Sequence, residues 1–245
     1  MFAVVGDQLL ADRYQLPLIS ETETKEFDAW LVHDQGRLCL AQNYLPKLKP
    51  LSLDFAQGKT AYRLKQSQQL REPVGRACGI SKGRRPAIVD ATAGLAQDGL
   101  LLAALGAEVI LLEQQPLLHA LISDALERAR TGPSWLQDIV ARIQLQHVDS
   151  ISWLVKHTTQ VVYLDPMYPE PANVRHAQVK KPMQILRNLS GTTTDTSRLF
   201  DAALASMTER LVVKRPDWAK GLTDQKPSEV LDTKTHHFDI YFNPA

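Results

Sequence analysis

Cysteine is scarce in this sequence, and long apolar runs are missing from it. The 245 residues include only Cys39 and Cys78, too few for a disulfide framework and without the spacing of a metal site. No stretch of eighteen uncharged apolar residues occurs, and no basic segment precedes an apolar one near Met1. We therefore expect a protein of the reducing cytoplasm, with neither a membrane span nor a bound metal.

A large net charge is also lacking, since the formal net charge is +1. This argues against a protein that coats nucleic acid indiscriminately. The cations are nevertheless clustered: residues 58–85 carry eight lysines and arginines against one acid, and residues 171–220 carry nine against four. The acids dominate between these blocks, with ten against four cations in residues 86–170. Such clustering can mark the footprint of a polyanion, or it can be an ordinary solvated surface.

The chain divides into three parts by pattern. Residues 1–57 hold short apolar pieces broken by polar residues, glycine and proline, which predicts a small β-rich or mixed N-terminal unit. Residues 58–85 form a basic connecting segment that is partly helical, with a helix in the second half of 66–79. In residues 86–245 strands and helices alternate, which is typical of a doubly wound, parallel α/β sheet of the Rossmann type.

In this last part the apolar periodicity predicts each element. Strands are expected at residues 87–90, 108–113, 143–147, 160–165, 210–214 and 236–242. Helices are expected at 98–107, 116–130, 150–157 and 197–208.

Polar residues end four consecutive predicted strands or follow directly after them. In parallel sheets ligands bind at the carboxyl ends of the strands, so Asp90, Glu113, Asp149 and Asp165 are expected at one edge. Glu113 lies where an acid accepts hydrogen bonds from both ribose hydroxyls, and Asp149 could accept one from an adenine amino group. Any one of these acids could instead be a helix cap, but four in order favour an adenosine site.

The first turn, "DATAGLAQDG", decides between two adenosine cofactors. It lacks the G-x-G-x-x-G pattern, whose glycines allow the pyrophosphate of a nicotinamide dinucleotide to approach the start of the helix. Asp98 in this turn would also repel a pyrophosphate, whereas it suits a cationic amino acid or a sulfonium. S-adenosylmethionine therefore fits better than NAD.

The stretch "VVYLDPMYP" predicts the chemistry. An enzyme that methylates an exocyclic amine of a nucleobase must accept its N–H hydrogens and aim its lone pair at the methyl group. The carboxylate of Asp165 and a backbone carbonyl fixed by Pro166 would supply two rigid acceptors, and Tyr168 could stack on the extruded base. The alternative is a stiffened loop with Tyr168 packed in the core.

A set of motifs in this order carries a family resemblance: "DATAGLAQDG", "LLEQQP", "VVYLDPMYP", "VKKP", "LVVKRPDWA" and "HHFDIYF". Over about residues 50–243 the chain resembles the bacterial ribosomal RNA small-subunit methyltransferase J family, which uses S-adenosylmethionine to methylate the N2 amine of a guanine in 16S ribosomal RNA. The resemblance implies a Rossmann-like class I methyltransferase sheet. It also implies cofactor contacts from Gln97, Asp98, Glu113, Gln114, Asp149, Ser150 and Asp165. Gln97 and Gln114 stand where the family usually has arginine, so two charge-assisted contacts are replaced.

The expected partner is 16S ribosomal RNA or the small ribosomal subunit. Phosphate contacts are predicted from Lys180, Lys181, Lys214 and Arg215, while the pocket at Tyr168 would select the base. His236 and His237 are expected to pack or face solvent rather than act as bases. Two alternatives remain open: an amino-methyltransferase for another base or nucleic acid, and a non-catalytic RNA-binding adapter with the same fold.

Overall fold

The computed structural model describes residues 1–44, 48–67, 72–168, 189 and 195–243, and these residues form two β-sheets with helices around them. The first sheet has four strands: β1 Phe2–Val5, β2 Leu18–Ile19, β3 Ala29–Asp34 and β4 Arg37–Gln42. Their order in the sheet is β2-β1-β3-β4, and β1 is parallel to both of its neighbours. A helix α1, Gln8–Tyr14, and a 3-10 helix, Glu21–Glu26, connect them, so the N-terminal part is mixed.

The second sheet has seven described strands in the order β10-β11-β9-β8-β5-β6-β7. They are β5 Ile88–Asp90, β6 Val109–Glu113, β7 Ile143–His147, β8 Thr159–Leu164, β9 Met207–Pro216, β10 Glu229–Asp232 and β11 His236–Phe242. The predicted Rossmann-like fold class is confirmed.

Two details of the sheet differ from the prediction. The last strand, β11, runs antiparallel to both β9 and β10, so the expectation of a wholly parallel sheet is wrong at this edge. The reason is local: Thr233 bonds back to His236 through its backbone N–H and its hydroxyl, which closes a tight hairpin between β10 and β11. The edge strand β10 was not predicted, because it is short and largely exposed.

Helices cover both faces of the seven-stranded sheet. They are α2 Gly58–Gln66, α3 Pro73–Ala77, α4 Gln97–Ala104, α5 Pro116–Arg130, α6 Ser134–Val140, α7 Ser150–Leu154 and α8 Thr196–Ser206. The helix predicted in the second half of 66–79 is confirmed as α3, and those predicted at 98–107, 116–130, 150–157 and 197–208 as α4, α5, α7 and α8. Helices α1, α2 and α6 were not predicted individually, since seven to nine residues give too few turns for a clear period.

The seven-stranded sheet separates two hydrophobic cores, one on each of its faces, and successive strand residues contribute to them in turn. One core joins residues such as Leu111, Val161 and Val212 to helices α2 to α6 and to the N-terminal sheet. The other joins their sequence neighbours, such as Val162 and Leu211, to α7 and α8. Successive strand residues point to opposite faces. Asp90 pairs with Leu111 and Tyr163, which both belong to the first core, so Asp90 lies on the first face. Glu113, two residues after Leu111, lies on the same face.

The N-terminal sheet packs on α5, and the two share the first core. The Tyr14 hydroxyl lies 2.6 Å from Nδ1 of His119 on α5, and the backbone N–H of Leu38 donates to Asp124 at 3.3 Å. In the described part of the chain no helix combines the length and the apolar character that crossing a bilayer would need.

Candidate active site

The strand order reverses between β5 and β8, which lie side by side at the centre of the sheet. From β5 the chain proceeds outward through β6 and β7, then returns to β8 on the other side of β5. The carboxyl ends of β5 and β8 therefore border a crevice, the place where parallel α/β sheets bind ligands. Asp90 ends β5, and Asp165 follows the last residue of β8.

Lys214 joins two of the predicted acids at this crevice. Its Nζ lies 2.7 Å from Oδ2 of Asp98 and 2.8 Å from Oδ2 of Asp165. Asp98 also accepts the hydroxyl of the buried Tyr163 at 2.7 Å, and Nη1 of Arg63 on α2 lies 3.8 Å from its Oδ1. The main partner of Arg63 is Glu72, which accepts from its Nε and Nη2 at 3.1 and 2.9 Å, so Lys214 is the principal cation of Asp98 and Asp165.

The two carboxyl groups respond to this arrangement in opposite ways. Burial would raise the pKa of Asp98, but the charge and hydrogen bond of Lys214, with help from Tyr163 and Arg63, lower it below the usual range. Burial raises the pKa of Asp165, and the nearby charge of Asp98 adds to this effect while Lys214 opposes it. Lys214 itself has a raised pKa because burial is outweighed by the two carboxylates. It stays charged at neutral pH.

The turn after β5 faces the end of β6. The backbone N–H of Gly94 donates to Oε2 of Glu113 at 3.0 Å, and that of Gln115 donates to Oε1 at 2.8 Å. Glu113 is buried, and burial raises its pKa to about 7. Both of its oxygens are held in place, and a carboxylate oxygen has a second lone pair for a ligand hydroxyl. This geometry fits the predicted contact with a ribose.

Asp90 is buried more deeply than Glu113. Its Oδ1 accepts the backbone N–H of Thr92 at 3.1 Å, and the Thr92 hydroxyl in turn accepts the backbone N–H of Asp165 at 2.6 Å. Burial raises the pKa of Asp90 to about 8, and the charges of Asp98 and Asp165 contribute to the rise. The Thr92 side chain therefore ties the ends of β5 and β8 together.

The remaining predicted cofactor residues lie around the same crevice. Asp149 caps α7 by accepting the backbone N–H of Ser152 at 2.8 Å, and the Ser150 hydroxyl donates to the carbonyl of Ala91 at 2.7 Å. This second bond holds the loop after β7 against the turn after β5. Gln97, the first residue of α4, and Gln114, after β6, are both exposed at the strand ends.

Pro166 is buried and Tyr168 is half-buried beyond β8. The Tyr168 hydroxyl is buried and finds no hydrogen-bond partner among the described residues. Burial and the charge of Asp239 raise its pKa. Base stacking by Tyr168 and the second acceptor next to Pro166 stay predictions.

Of the four residues predicted to contact RNA phosphates, the structure describes two, and both are already ion-paired within the protein. Lys180 and Lys181 lie outside the described residues. Lys214 is committed to Asp98 and Asp165, and Arg215 makes a two-pronged ion pair with the buried Asp239, at 2.7 and 3.0 Å. Contacts from Lys214 and Arg215 to RNA stay a prediction, and they would have to form from cations that are already paired.

Sequence reasoning did not find three residues of the crevice. Tyr163 could have been found from the sequence, because it lies two residues before Asp165 in the predicted strand and its side chain must point to the same face of the sheet as that of Asp165. Thr92 and Arg63 carried none, because their positions depend on how the turn after β5 closes and on where α2 packs. The sequence also assigned Lys214 to RNA rather than to Asp98 and Asp165.

The described residues fit S-adenosylmethionine in their donors and acceptors. The carboxylate oxygens of Glu113 are held at a strand end and are suited to accept hydroxyl groups, the turn before α4 contains Gly94 at φ 55°, and Gln97 at the start of α4 is exposed. Comparison with known proteins agrees: residues 9–243 match the family model described as "Putative SAM-dependent methyltransferase". A solved SAM-dependent methyltransferase from Neisseria gonorrhoeae has a TM-score of 0.73 and 26% identity, with 99% of this chain and 96% of that chain covered. The chain is an S-adenosylmethionine-dependent methyltransferase.

Curated relatives define the family more closely. The chain is 38% identical over 240 residues to ribosomal RNA small subunit methyltransferase J of Idiomarina loihiensis, covering 97% of this chain and 90% of the relative. It is 40% identical over 238 residues to the protein of the same name from Thioalkalivibrio sulfidiphilus, covering 96% and 91%. The chain belongs to the ribosomal RNA small subunit methyltransferase J family, as the motifs predicted.

Proposed function

We propose that this protein transfers a methyl group from S-adenosylmethionine to the exocyclic N2 amine of a guanine in 16S ribosomal RNA, in the cytoplasm. The observation that carries the proposal is the position of Asp165 at the switch point of the sheet, with its carboxylate ion-paired to Lys214 and with Pro166 directly after it. The names of the relatives support a ribosomal RNA substrate.

Residues at the strand ends would hold the cofactor. Glu113 would accept hydrogen bonds from the ribose hydroxyls, Asp149 would accept one from the adenine amine, and Asp98 would face the amino acid part. Gln97, Gln114 and Ser150 complete the set. When bound, the cofactor supplies an electrophilic methyl group on a sulfonium.

Asp165 handles the hydrogens of the target amine. An exocyclic amine attached to guanine has a weakly available lone pair, and a carboxylate that accepts one N–H orients this lone pair and supports the positive charge that develops on nitrogen. Methyl transfer would leave the target nitrogen cationic, and Asp165 would accept the proton that this nitrogen loses or pass it to solvent. Burial raises the pKa of Asp165, and the charge of Lys214 opposes this rise and so favours the ionised form of the carboxyl.

The base would be held against Tyr168, and the RNA backbone would be held by Lys180 and Lys181. Stacking on an aromatic ring is the usual way to hold an extruded base, and lysine contacts to phosphate position the strand without reading its sequence.

The proposal is tested by methyl transfer from labelled S-adenosylmethionine to small ribosomal subunits from a strain that lacks the protein. We expect the label in N2-methylguanosine after digestion of the 16S RNA to nucleosides. Label in a different nucleoside would assign another base. Cofactor binding without transfer to subunits or to free RNA would favour the adapter.

A further inference from the structure

A basic pocket lies at the end of the seven-stranded sheet opposite to the crevice. It has a volume of about 440 Å³ and is lined by Arg76, Gly79, Ile80, Ser81, Arg84 and Arg210. Arg210 is near the start of β9, where it pairs with Val161 near the start of β8. It precedes Lys214 by four residues on the same strand and face, which separates their Cα atoms by about 13 Å.

Three separate segments bring their arginines to this pocket. Arg76 comes from α3, Arg84 from the bridged turn 81–84, and Arg210 from β9. The turn also presents Lys82 and Arg85, which are exposed beside the pocket. The basic block of residues 58–85 thus meets a cation that is more than 120 residues away in the sequence.

Gly79 allows two of these guanidinium groups to approach each other. A Cβ atom at this position would lie 2.4 Å from Nη1 of Arg84 and 2.9 Å from Cζ of Arg210. The backbone φ of 78° also favours glycine. The close approach of like charges is costly without an anion to offset it.

The pocket has more cations than its own acids neutralise. Arg84 is ion-paired to Glu209, and Glu229 acts on Arg210 from a longer distance. Arg210 donates to the carbonyl of Ala77 at 3.2 Å, but its Nε is buried and finds no partner among the described residues.

Arg76 is exposed and forms no ion pair within the described part of the chain. Burial and the charge of Arg84 lower the pKa of Arg210, as expected for a guanidinium with too little negative charge around it. A bound anion would correct this imbalance.

We propose that this pocket binds a phosphate group of the substrate RNA. Guanidinium groups bind phosphate oxygens in pairs, and arginines from several segments around a glycine form a site shaped for such an anion. This inference rests on the proposed function, because it takes the phosphate from the RNA that is methylated. The RNA would then contact both ends of the sheet, so the substrate must be a polynucleotide that extends well beyond the target base.

Two variants and a control test the RNA contact. Arg76→Gln removes a pocket cation without breaking an ion pair among the described residues, and Ser81→Glu adds a carboxylate to the pocket wall. Arg130→Gln removes an exposed arginine that is paired with Glu127 on the distant helix α5. We expect both pocket variants to weaken binding of small ribosomal subunits and to raise KM with kcat unchanged. The salt slope of Arg76→Gln should fall by about 1. Arg130→Gln should match the wild type.

A second measurement does not depend on methyl transfer. Inorganic phosphate is titrated into the full-length protein while the arginine Nε–H signals are followed by NMR, and we expect shifts for Arg84 and Arg210 that Ser81→Glu abolishes. No shift in the wild type would overturn the anion site. Phosphate binding with unchanged subunit affinity in both variants would overturn the RNA contact. A wild-type protein that binds phosphate here but methylates no RNA would contradict the proposed function and leave the anion site standing.

Discussion

Nζ of Lys214 lies 2.8 Å from Oδ2 of Asp165, at the point where β8 ends beside β9. The same ammonium lies 2.7 Å from Asp98, so one cation organises the acid assigned to the target amine and the acid assigned to the cofactor. Its side chain is 24% exposed and that of Asp98 is 12% exposed, so solvent screens these interactions only in part.

Loss of Lys214 should therefore affect both stability and the pH profile. Lys214→Gln should lower the free energy of unfolding by about 1–3 kcal/mol, since two partly buried carboxylates lose their charged donor. The pKa values of both carboxyls should rise, so the acid limb of methyl transfer should move to higher pH. Urea denaturation and a pH–rate profile measure the two effects. Lys156→Gln, which changes an exposed lysine after α7, is the control, and equal profiles for the two variants would contradict the role of Lys214.

Glu113 should determine affinity for the cofactor. Glu113→Gln replaces a carboxylate whose two oxygens accept backbone N–H groups, so one amide N–H would face a donor and the ribose would lose a charged acceptor. We expect the Kd for S-adenosylmethionine to rise by about 10- to 100-fold, measured by calorimetry. Glu108→Gln, at the exposed opposite end of the same strand region, should leave the Kd unchanged. Equal affinities in the two variants would remove Glu113 from the site.

Asp90 should make stability depend on pH. Its pKa is raised to about 8 in the folded protein, against about 4 in the unfolded chain. Between these two pKa values the folded state binds more protons than the unfolded state. The contribution of Asp90 to the free energy of unfolding therefore falls as the pH rises, and this fall is complete above about pH 8.

Asp90→Asn removes that titration while its amide oxygen still accepts from Thr92. The variant should therefore gain stability relative to the wild type between pH 5 and pH 8, as measured by urea denaturation at each pH. A difference that does not change with pH would show that Asp90 is ionised throughout.

Gly99 should tolerate a side chain poorly. A Cβ atom there would lie 2.3 Å from Cδ2 of Leu111 and 3.2 Å from Oδ2 of Asp90, so the fully buried Leu111 side chain or α4 itself would have to shift. Gly99→Ala should cost about 1–3 kcal/mol in stability, although alanine favours the helix by about 1 kcal/mol. A thermal melt at or above the wild-type value would contradict this close packing.

The sequence predicted what local pattern controls. The strand ends could be predicted because apolar runs stop at Asp90, Glu113 and Asp165, and a parallel sheet brings such ends to one edge. Helix α5 could be predicted because its fifteen residues give a clear helical period. The direction of β11 could not be predicted, because an apolar strand pattern does not show whether the strand is parallel or antiparallel to its neighbours. That direction depends on the hairpin that the Thr233 side chain closes.

The crevice itself was harder to predict than the strand ends. The position of Lys214 near the carboxyl end of a predicted strand indicates a cation at the ligand-binding edge of the sheet, and the structure places it there. Its partners could not be deduced, because they come from a helix start, Asp98, and from another strand end, Asp165. Arg63 lies on α2, which approaches the crevice only through the packing of the first core.

The central claim is that Asp165 supports methyl transfer at the target amine, and single-turnover kinetics tests it most directly. Small ribosomal subunits lacking the modification are mixed with excess enzyme preloaded with labelled S-adenosylmethionine. Asp165→Asn should slow transfer by about 100-fold or more while cofactor binding by calorimetry changes far less. Asp201→Asn, an exposed acid on α8, should react like the wild type. A normal single-turnover rate for Asp165→Asn would contradict the account.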